Sequence, residues 1–295
     1  MLQVIVWGSR GSIPVSGSSF HRHGGATTCI EIIPQNPSEE TPSRIIIDCG
    51  TGLTELGKNW EDRTAEALIL QTHMHWDHIQ GFPFFAPLFN PAGEFQLWAV
   101  PRDELSFHEV LSQQMKRPTF PIGLDILPAN LTFKDLPQKG DIQLGDLEIK
   151  WTEVSHPSGT TAYRINYKGT SVVFSGDLEI QQGSRETFTH FANKTDLLIM
   201  DAQYFPEEYQ SKKGFGHSTL EDAVEVAKNA SVKHLLMTHH DPTDDDKKLD
   251  KKRAFAKKIA PENMHINNAY DGLQVDVRAS KHISSSQEKL LSIAI

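Results

Sequence analysis

The stretch Thr72-His73-Met74-His75-Trp76-Asp77-His78 comes directly after the apolar run Ala67 to Leu70. Side chains two apart at the end of a strand point the same way, so His73 and His75 can share one metal ion. Once the chain turns out of the strand, Asp77 and His78 can face a second ion beside the first. A lone histidine is ordinarily a satisfied core or surface group. Three histidines and an aspartate within six positions are not accounted for that way.

Working outward, the same setting recurs. His156 follows a run ending at Val154, Asp177 follows Val172-Val173-Phe174, and His239 follows Leu235-Leu236-Met237. In a layered α/β sheet, groups just beyond the strand ends converge on one crevice. The expected site is therefore composite: seven ligands for two divalent ions, with an aspartate free to bridge them. Imidazole and carboxylate without thiolate suit zinc first, then manganese or iron.

The rest of the chain fits an α/β protein. Short β-rich apolar runs occupy residues 2–7, 29–33, 44–49, 67–71, 95–100, 147–152, 162–167, 171–175, 196–200 and 234–238. Several are continuous, such as Ile45-Ile46-Ile47 and Leu197-Leu198-Ile199-Met200, as expected of strands covered on both faces. Ser218 with Glu221 reads as a capping box, and Leu220, Ala223, Val224 and Ala227 give the helix after it an apolar face. A second helix is expected over about 244–259, with Asp244 to Asp246 as its solvated, acidic start. No linker divides residues 1–277, which read as one domain. Residues 278–295 read as a tail or a short docking helix.

The 295 residues carry 38 acidic and 29 basic side chains, a net charge of −9. That balance speaks against gripping a large nucleic acid through its phosphates. Cys29 and Cys49 form no disulfide framework. There is no signal-peptide pattern and no apolar stretch near the ~20 residues that span a bilayer. The expectation is a cytoplasmic protein without a membrane partner.

The His73-x-His75-x-Asp77-His78 run with a later His, Asp and His resembles the metallo-β-lactamase superfamily. The likeness is to its phosphodiesterase branch, which includes ribonuclease Z and the cyclic-phosphate phosphodiesterase of phosphonate breakdown. Matching segments include Gly8-Ser-Arg-Gly-Ser-Ile-Pro14, Gly24-Gly-Ala-Thr-Thr-Cys29, Ile47-Asp-Cys-Gly-Thr-Gly52, Ser175-Gly-Asp177, Gly216-His-Ser-Thr219 and Thr238-His-His-Asp-Pro242. The resemblance implies a four-layer αββα sandwich of two mixed sheets with helices outside and metals at one edge. It implies that His73, His75 and His156 hold one ion, that Asp77, His78 and His239 hold the other, and that Asp177 bridges. His240 is left as a structural histidine. A homodimer is a further expectation from relatives.

His217 lies in a loop flanked by Gly214 and Gly216, where backbone N–H groups could also receive an anion. In the resembled branch the corresponding histidine acts near the scissile phosphate, supported by an acidic residue for which Asp201 is the match. The other reading of Asp201 is a capping carboxylate at a strand end.

Two divalent ions contribute about +4, and Asp77, Asp177 and a hydroxide bring the centre to about +1, which suits a singly charged phosphodiester. Only 20 residues separate His156 from Asp177, enough for two strands and a tight turn at Lys168-Gly169 but not for the tRNA-binding arm of ribonuclease Z. The expected substrate is a small diester, a 3′,5′-cyclic nucleotide or another cyclic phosphate. RNA 3′ processing, a thioesterase or lactonase, and a non-catalytic metal-stabilised sensor are the alternatives. Gly81-Phe-Pro-Phe-Phe-Ala-Pro-Leu-Phe89 is the expected pocket wall, its phenylalanines stacking a base or else filling core. Residues 103–121, with Lys116 and Arg117, are expected to form a lid or a subunit contact.

Overall fold

Strand residues that alternate between two apolar surroundings explain the continuous apolar runs. In the strand Glu66–Gln71, Leu68 and Leu70 enter one buried cluster while Ala67 and Ile69 enter another. In Leu197–Asp201, Leu197 and Ile199 face the first cluster and Leu198 and Met200 a third. A strand buried on both faces needs apolar side chains at every position.

The computed structural model describes residues 1–60, 65–181 and 183–278. It contains β1 (Leu2–Gly8), β2 (Cys29–Pro34), β3 (Ile45–Ile47), β4 (Glu66–Gln71), β5 (Glu94–Ala99), β6 (Asn130–Asp135), β7 (Lys139–Leu144), β8 (Leu147–Val154), β9 (Thr160–Tyr167), β10 (Thr170–Phe174), β11 (Leu197–Asp201), β12 (His234–Thr238), β13 (His265–Asn268) and β14 (Leu273–Val277). The helices are α1 (Gly52–Lys58), α2 (Trp76–Ile79), α3 (Phe107–Gln114), α4 (Ser184–Phe191), α5 (Pro206–Tyr209), α6 (Leu220–Asn229) and α7 (Asp246–Ile259), with short 3-10 turns between.

The strands form two seven-stranded sheets, ordered β14-β1-β2-β3-β4-β5-β6 and β13-β12-β11-β10-β9-β8-β7. Each sheet has an antiparallel half and a parallel half: β14 to β3 and β7 to β10 pair antiparallel, β3 to β6 and β10 to β13 parallel. The sheets meet face to face over Val4, Ile32, Leu70, Ile149, Ile165 and Ile199. α1 and α3 cover the outer face of the first sheet, and α4, α6 and α7 that of the second. This is the expected four-layer αββα sandwich of two mixed sheets. None of the helices among the described residues is long and apolar enough to cross a membrane. The expected tail falls, from residue 279 on, outside the described residues.

All ten expected strands are present. β6, β7, β13 and β14 are additional, and three of them show half-exposed or polar patterns that a search for apolar runs passes over. Two helix starts need correction. The cap of α6 is Thr219, whose side chain accepts from Asp222 N while the Asp222 carboxylate bonds back; Ser218 instead donates its hydroxyl to Leu178 O. The acidic start of α7 is not solvated. Asp245 is the cap, Asp244 is fully buried against Lys252 and Lys248, and Asp246 accepts from the backbone of Arg22 and His23. A carboxylate that deep persists because cations and amides surround it.

Candidate dinuclear metal centre

The seven expected ligands arrive from the ends of four strands in both sheets. β4 is followed by His73 and His75 and by Asp77 and His78 in α2; β8, β10 and β12 are followed by His156, Asp177 and His239. His73, His75, His156 and Asp177 form one group of convergent ligand atoms, and Asp77, His78, Asp177 and His239 a second. Asp177 belongs to both, as a bridging ligand must.

The donor set fits metal ions better than it fits itself. His75 Nδ1 lies 3.1 Å from both His73 Nε2 and His156 Nε2, three ring nitrogens on one point. In the second group, His78 Nε2 is 3.3 Å from Asp77 Oδ2 and from Asp177 Oδ1, and His239 Nε2 is 3.2 and 3.1 Å from Asp77 Oδ2 and Asp177 Oδ2. His78 Nε2 is buried without a hydrogen-bond partner. Burial lowers the pKa of His73, His75 and His156 and favours the neutral, lone-pair form that binds metal. Burial opposes charge on His78 and His239 too, but Asp177 and Asp77 overcome it, pushing His78 well up and His239 to about 10. Both aspartates are held far below the usual carboxylate range despite their burial, by His78 and His239. The two carboxylates thus draw positive charge to this point, onto the imidazoles here and onto a metal ion where one binds.

Outer contacts aim the ligands. His156 Nδ1 meets Gly216 O at 2.8 Å, His73 Nδ1 meets Thr72 Oγ1 at 3.0 Å, and His78 Nδ1 meets Asp48 Oδ2 at 2.7 Å, so each Nε2 turns inward. Ser12 N donates to Asp77 Oδ2 at 2.7 Å. Gly11 gives His239 room: a Cβ there would stand 2.1 Å from the imidazole ring. Asp48 and His239 both take left-handed backbone, with φ of 65° and 56°, a strained conformation retained at functional sites. Asp48 is not among the expected site residues; its signal in the sequence is its place at the end of Ile45-Ile46-Ile47, the setting of His73, Asp177 and His239.

His217 and Asp201 also meet. His217 Nδ1 is 2.8 Å from Asp201 Oδ2, and the His217 ring stacks on His239 with centroids 4.6 Å apart. Asp201 is fully buried, and its Oδ2 also accepts from Leu178 N. His240 is structural as expected, its Nε2 bonded to Ala269 O at 2.9 Å. The amides beside His217 are not free for a substrate anion. Glu179 already holds them: its carboxylate accepts from Gly214 N, Gly216 N and the Tyr209 hydroxyl. Burial works against this charge, but Tyr209 and the two amides hold the Glu179 pKa down.

A cavity of about 460 Å³ opens over the cluster, lined by Ser12, Met74, Trp76, Phe215 and His217 besides ligand residues. The expected wall at residues 81–89 is elsewhere. Phe82, Phe85 and Leu88 are core beneath the first sheet, and Phe84 packs edge-on against Phe120 at 5.7 Å. Apolar spacing alone could not distinguish a pocket lining from core. Lys116 and Arg117 are exposed and likewise do not line the cavity.

With that geometry in view, relatives can be placed. The family described as "Beta-lactamase superfamily domain" matches residues 43–240, about two thirds of the chain. Ribonuclease Z of Pyrococcus furiosus is 30% identical over 109 residues, a match spanning 37% of this chain but only 31% of that protein. Ribonuclease Z of Halalkalibacterium halodurans is 27% identical over 251 residues, covering 67% of this chain and 79% of that one. The crystal structure of the metallo-beta-lactamase fold protein YhfI from Bacillus subtilis superposes with a TM-score of 0.69 at 21% identity, over 94% of this chain and 100% of that one. Its fold, its two facing ligand groups and the match over residues 43–240 place this chain in the metallo-β-lactamase superfamily of metal-dependent hydrolases.

Proposed function

We propose that this protein is a dinuclear metal-dependent phosphodiesterase acting on a small diester, a 3′,5′-cyclic nucleotide or another cyclic phosphate. The observation that carries the reading is the His217–Asp201 pair at the wall of the cavity, beside His239 and the two carboxylates. When bound, two divalent ions would supply Lewis acidity and a water of lowered pKa for attack on phosphorus. His73, His75 and His156 would hold one ion, Asp77, His78 and His239 the other, and Asp177 both. Zinc suits this donor set, as do manganese and iron.

The remaining chemistry falls to the chain. Asp201 accepts a hydrogen bond from His217 Nδ1 and fixes the ring, which leaves Nε2 as the atom to meet the departing oxygen. Asp77, oriented by Ser12 N, keeps its charge beside the attacking position. A thioester or lactone hydrolase would need the metals but not this pair.

The preference for a small diester rests on β9 and β10. The 20 residues between His156 and Asp177 are taken up by these two strands and the turn at Lys168 and Gly169, both with positive φ, so no arm protrudes there. The ribonuclease Z names of the relatives favour RNA 3′ processing as the second reading.

The test is hydrolysis of bis-p-nitrophenyl phosphate, 3′,5′-cyclic AMP and a precursor tRNA by zinc- or manganese-loaded protein beside His217→Ala. Turnover of the first two, reduced about 10²–10⁴-fold in the variant, is expected. Cleavage of precursor tRNA but not cyclic AMP would transfer the assignment to RNA processing. Two bound metals with no diester turnover would sink the phosphodiesterase reading and favour the thioesterase, lactonase or sensor.

A further inference from the structure

The cavity has a floor of histidines and aspartates and an aromatic rim. Trp76 is 80% exposed and Phe215 is 57% exposed, and both line the cavity, with Met74 beside them. The protein's other four tryptophans are buried or half-buried. A tryptophan left in water forgoes more apolar burial than any other residue would, so its position calls for a partner.

Both rings stand on fixed backbone. Trp76 opens α2 between two residues of the metal cluster, His75 and Asp77. Phe215 sits between Gly214 and Gly216, whose amides are bonded to the buried Glu179, and its own N–H donates to Lys212 O at 3.0 Å. Gly214 and Gly216 have φ of +85° and +95°, so the tight path that presents Phe215 depends on glycine. A Cβ on Gly216 would also stand 2.2 Å from His156 Nδ1, which ties the Phe215 loop to a metal ligand. The rim is therefore registered to the cluster rather than hung on a free loop.

A ligand that satisfies both parts carries a phosphoryl group for the floor and a flat, apolar-faced ring within one sugar's reach of it. We propose that Trp76 and Phe215 are specificity-determining residues that stack the heteroaromatic base of a nucleotide substrate, with Glu179 as the positioning residue for Phe215. The ring-bearing diester is thereby favoured over ring-free cyclic phosphates and glycerol diesters. This rests on the phosphodiesterase reading for its catalytic consequence, while ring binding is testable apart from it.

The experiment is a tryptophan-fluorescence titration of the zinc-loaded protein with adenosine 5′-monophosphate and with ribose 5-phosphate. Trp76→Phe identifies the signal and Phe215→Ala tests the second ring; hydrolysis of bis-p-nitrophenyl phosphate is followed in parallel. Adenosine monophosphate should quench emission and ribose 5-phosphate should not. The quench should vanish in Trp76→Phe. Affinity for adenosine monophosphate should fall about tenfold in Phe215→Ala, the loss of one stacking contact. Both rings are exposed, so the variants keep the fold. Equal binding of the two phosphates, or a Trp76 signal that changes with protein concentration instead of nucleotide, overturns the proposal; the latter would put a second copy of the chain on the rim. Absent hydrolysis with the quench intact would sink the phosphodiesterase reading alone, and intact hydrolysis without the quench would sink the base-stacking rim alone.

Discussion

At the scale of single residues, Asp48 lies outside the candidate ligand groups and holds His78 in place. Its Oδ1 accepts from Thr72 N, and its Oδ2 accepts from Thr72 Oγ1 and His78 Nδ1. Asp48→Asn keeps the size and tolerates the positive φ, but it places an amide N–H₂ opposite His78 or leaves the bond unmade. The proton then moves to His78 Nε2, the atom that must present a lone pair. We expect Asp48→Asn to weaken binding at the His78 ion by about 10- to 100-fold, measured by competition with a chromophoric chelator. Unchanged affinity with an unchanged melting curve would show that Asp48 does not set the tautomer. The convergence of these side chains was legible in the sequence because His73 to His78 are crowded into six positions and the others recur behind apolar runs. Asp48 and Glu179 were not, since a single carboxylate beside a strand looks the same whether it caps a turn or orients an imidazole.

At the scale of elements, the segment from α5 to α6 is shaped by one carboxylate. Glu179 binds Tyr209 at the end of α5 and the amides of Gly214 and Gly216 just before His217. Glu179→Ala leaves those donors unpaired, and for the buried Gly216 amide alone the cost is about 1–3 kcal/mol. It should also loosen Gly216, whose carbonyl receives His156 Nδ1. The expected outcome is faster amide exchange confined to 209–217, together with a higher KM; exchange unchanged in that segment would exclude the role. The sequence shows helix α6 clearly but misplaces its cap by one residue, because Ser218 and Thr219 are equivalent in type. Only the tertiary bond from Ser218 to Leu178 O separates them. α3 carries a readable capping box, Ser106 with Glu109, that the lid interpretation of 103–121 overlooked. The missed strands β6 and β7 are sheet edges with alternating exposure, where a short apolar signal is halved.

At the scale of the whole molecule, the candidate ligands come from both sheets: His73, His75, Asp77 and His78 follow β4 of one, and His156, Asp177 and His239 follow strands of the other. Ions bound there would tie the two sheets at one rim of the sandwich. Chelation should therefore lower the melting temperature by about 5–10 °C if the ions are bound some hundredfold above their dissociation constant. Calorimetry with and without chelator tests this, and an unchanged transition would mean that the rim is held without them. That the strands are covered on both faces was legible because such strands need apolar residues at every position; the four-layer sandwich with strand ends of both sheets at one edge came only from the family resemblance, because it depends on contacts far apart in sequence. The sheet order has a further consequence. β1 is flanked by β2 and by β14, a strand some 270 residues further along the chain. After β1 has left the ribosome, that whole separation must still be synthesised before the flank is filled. Until then the growing chain carries an open hydrogen-bonding edge, the kind of surface on which nascent polypeptides stick to one another.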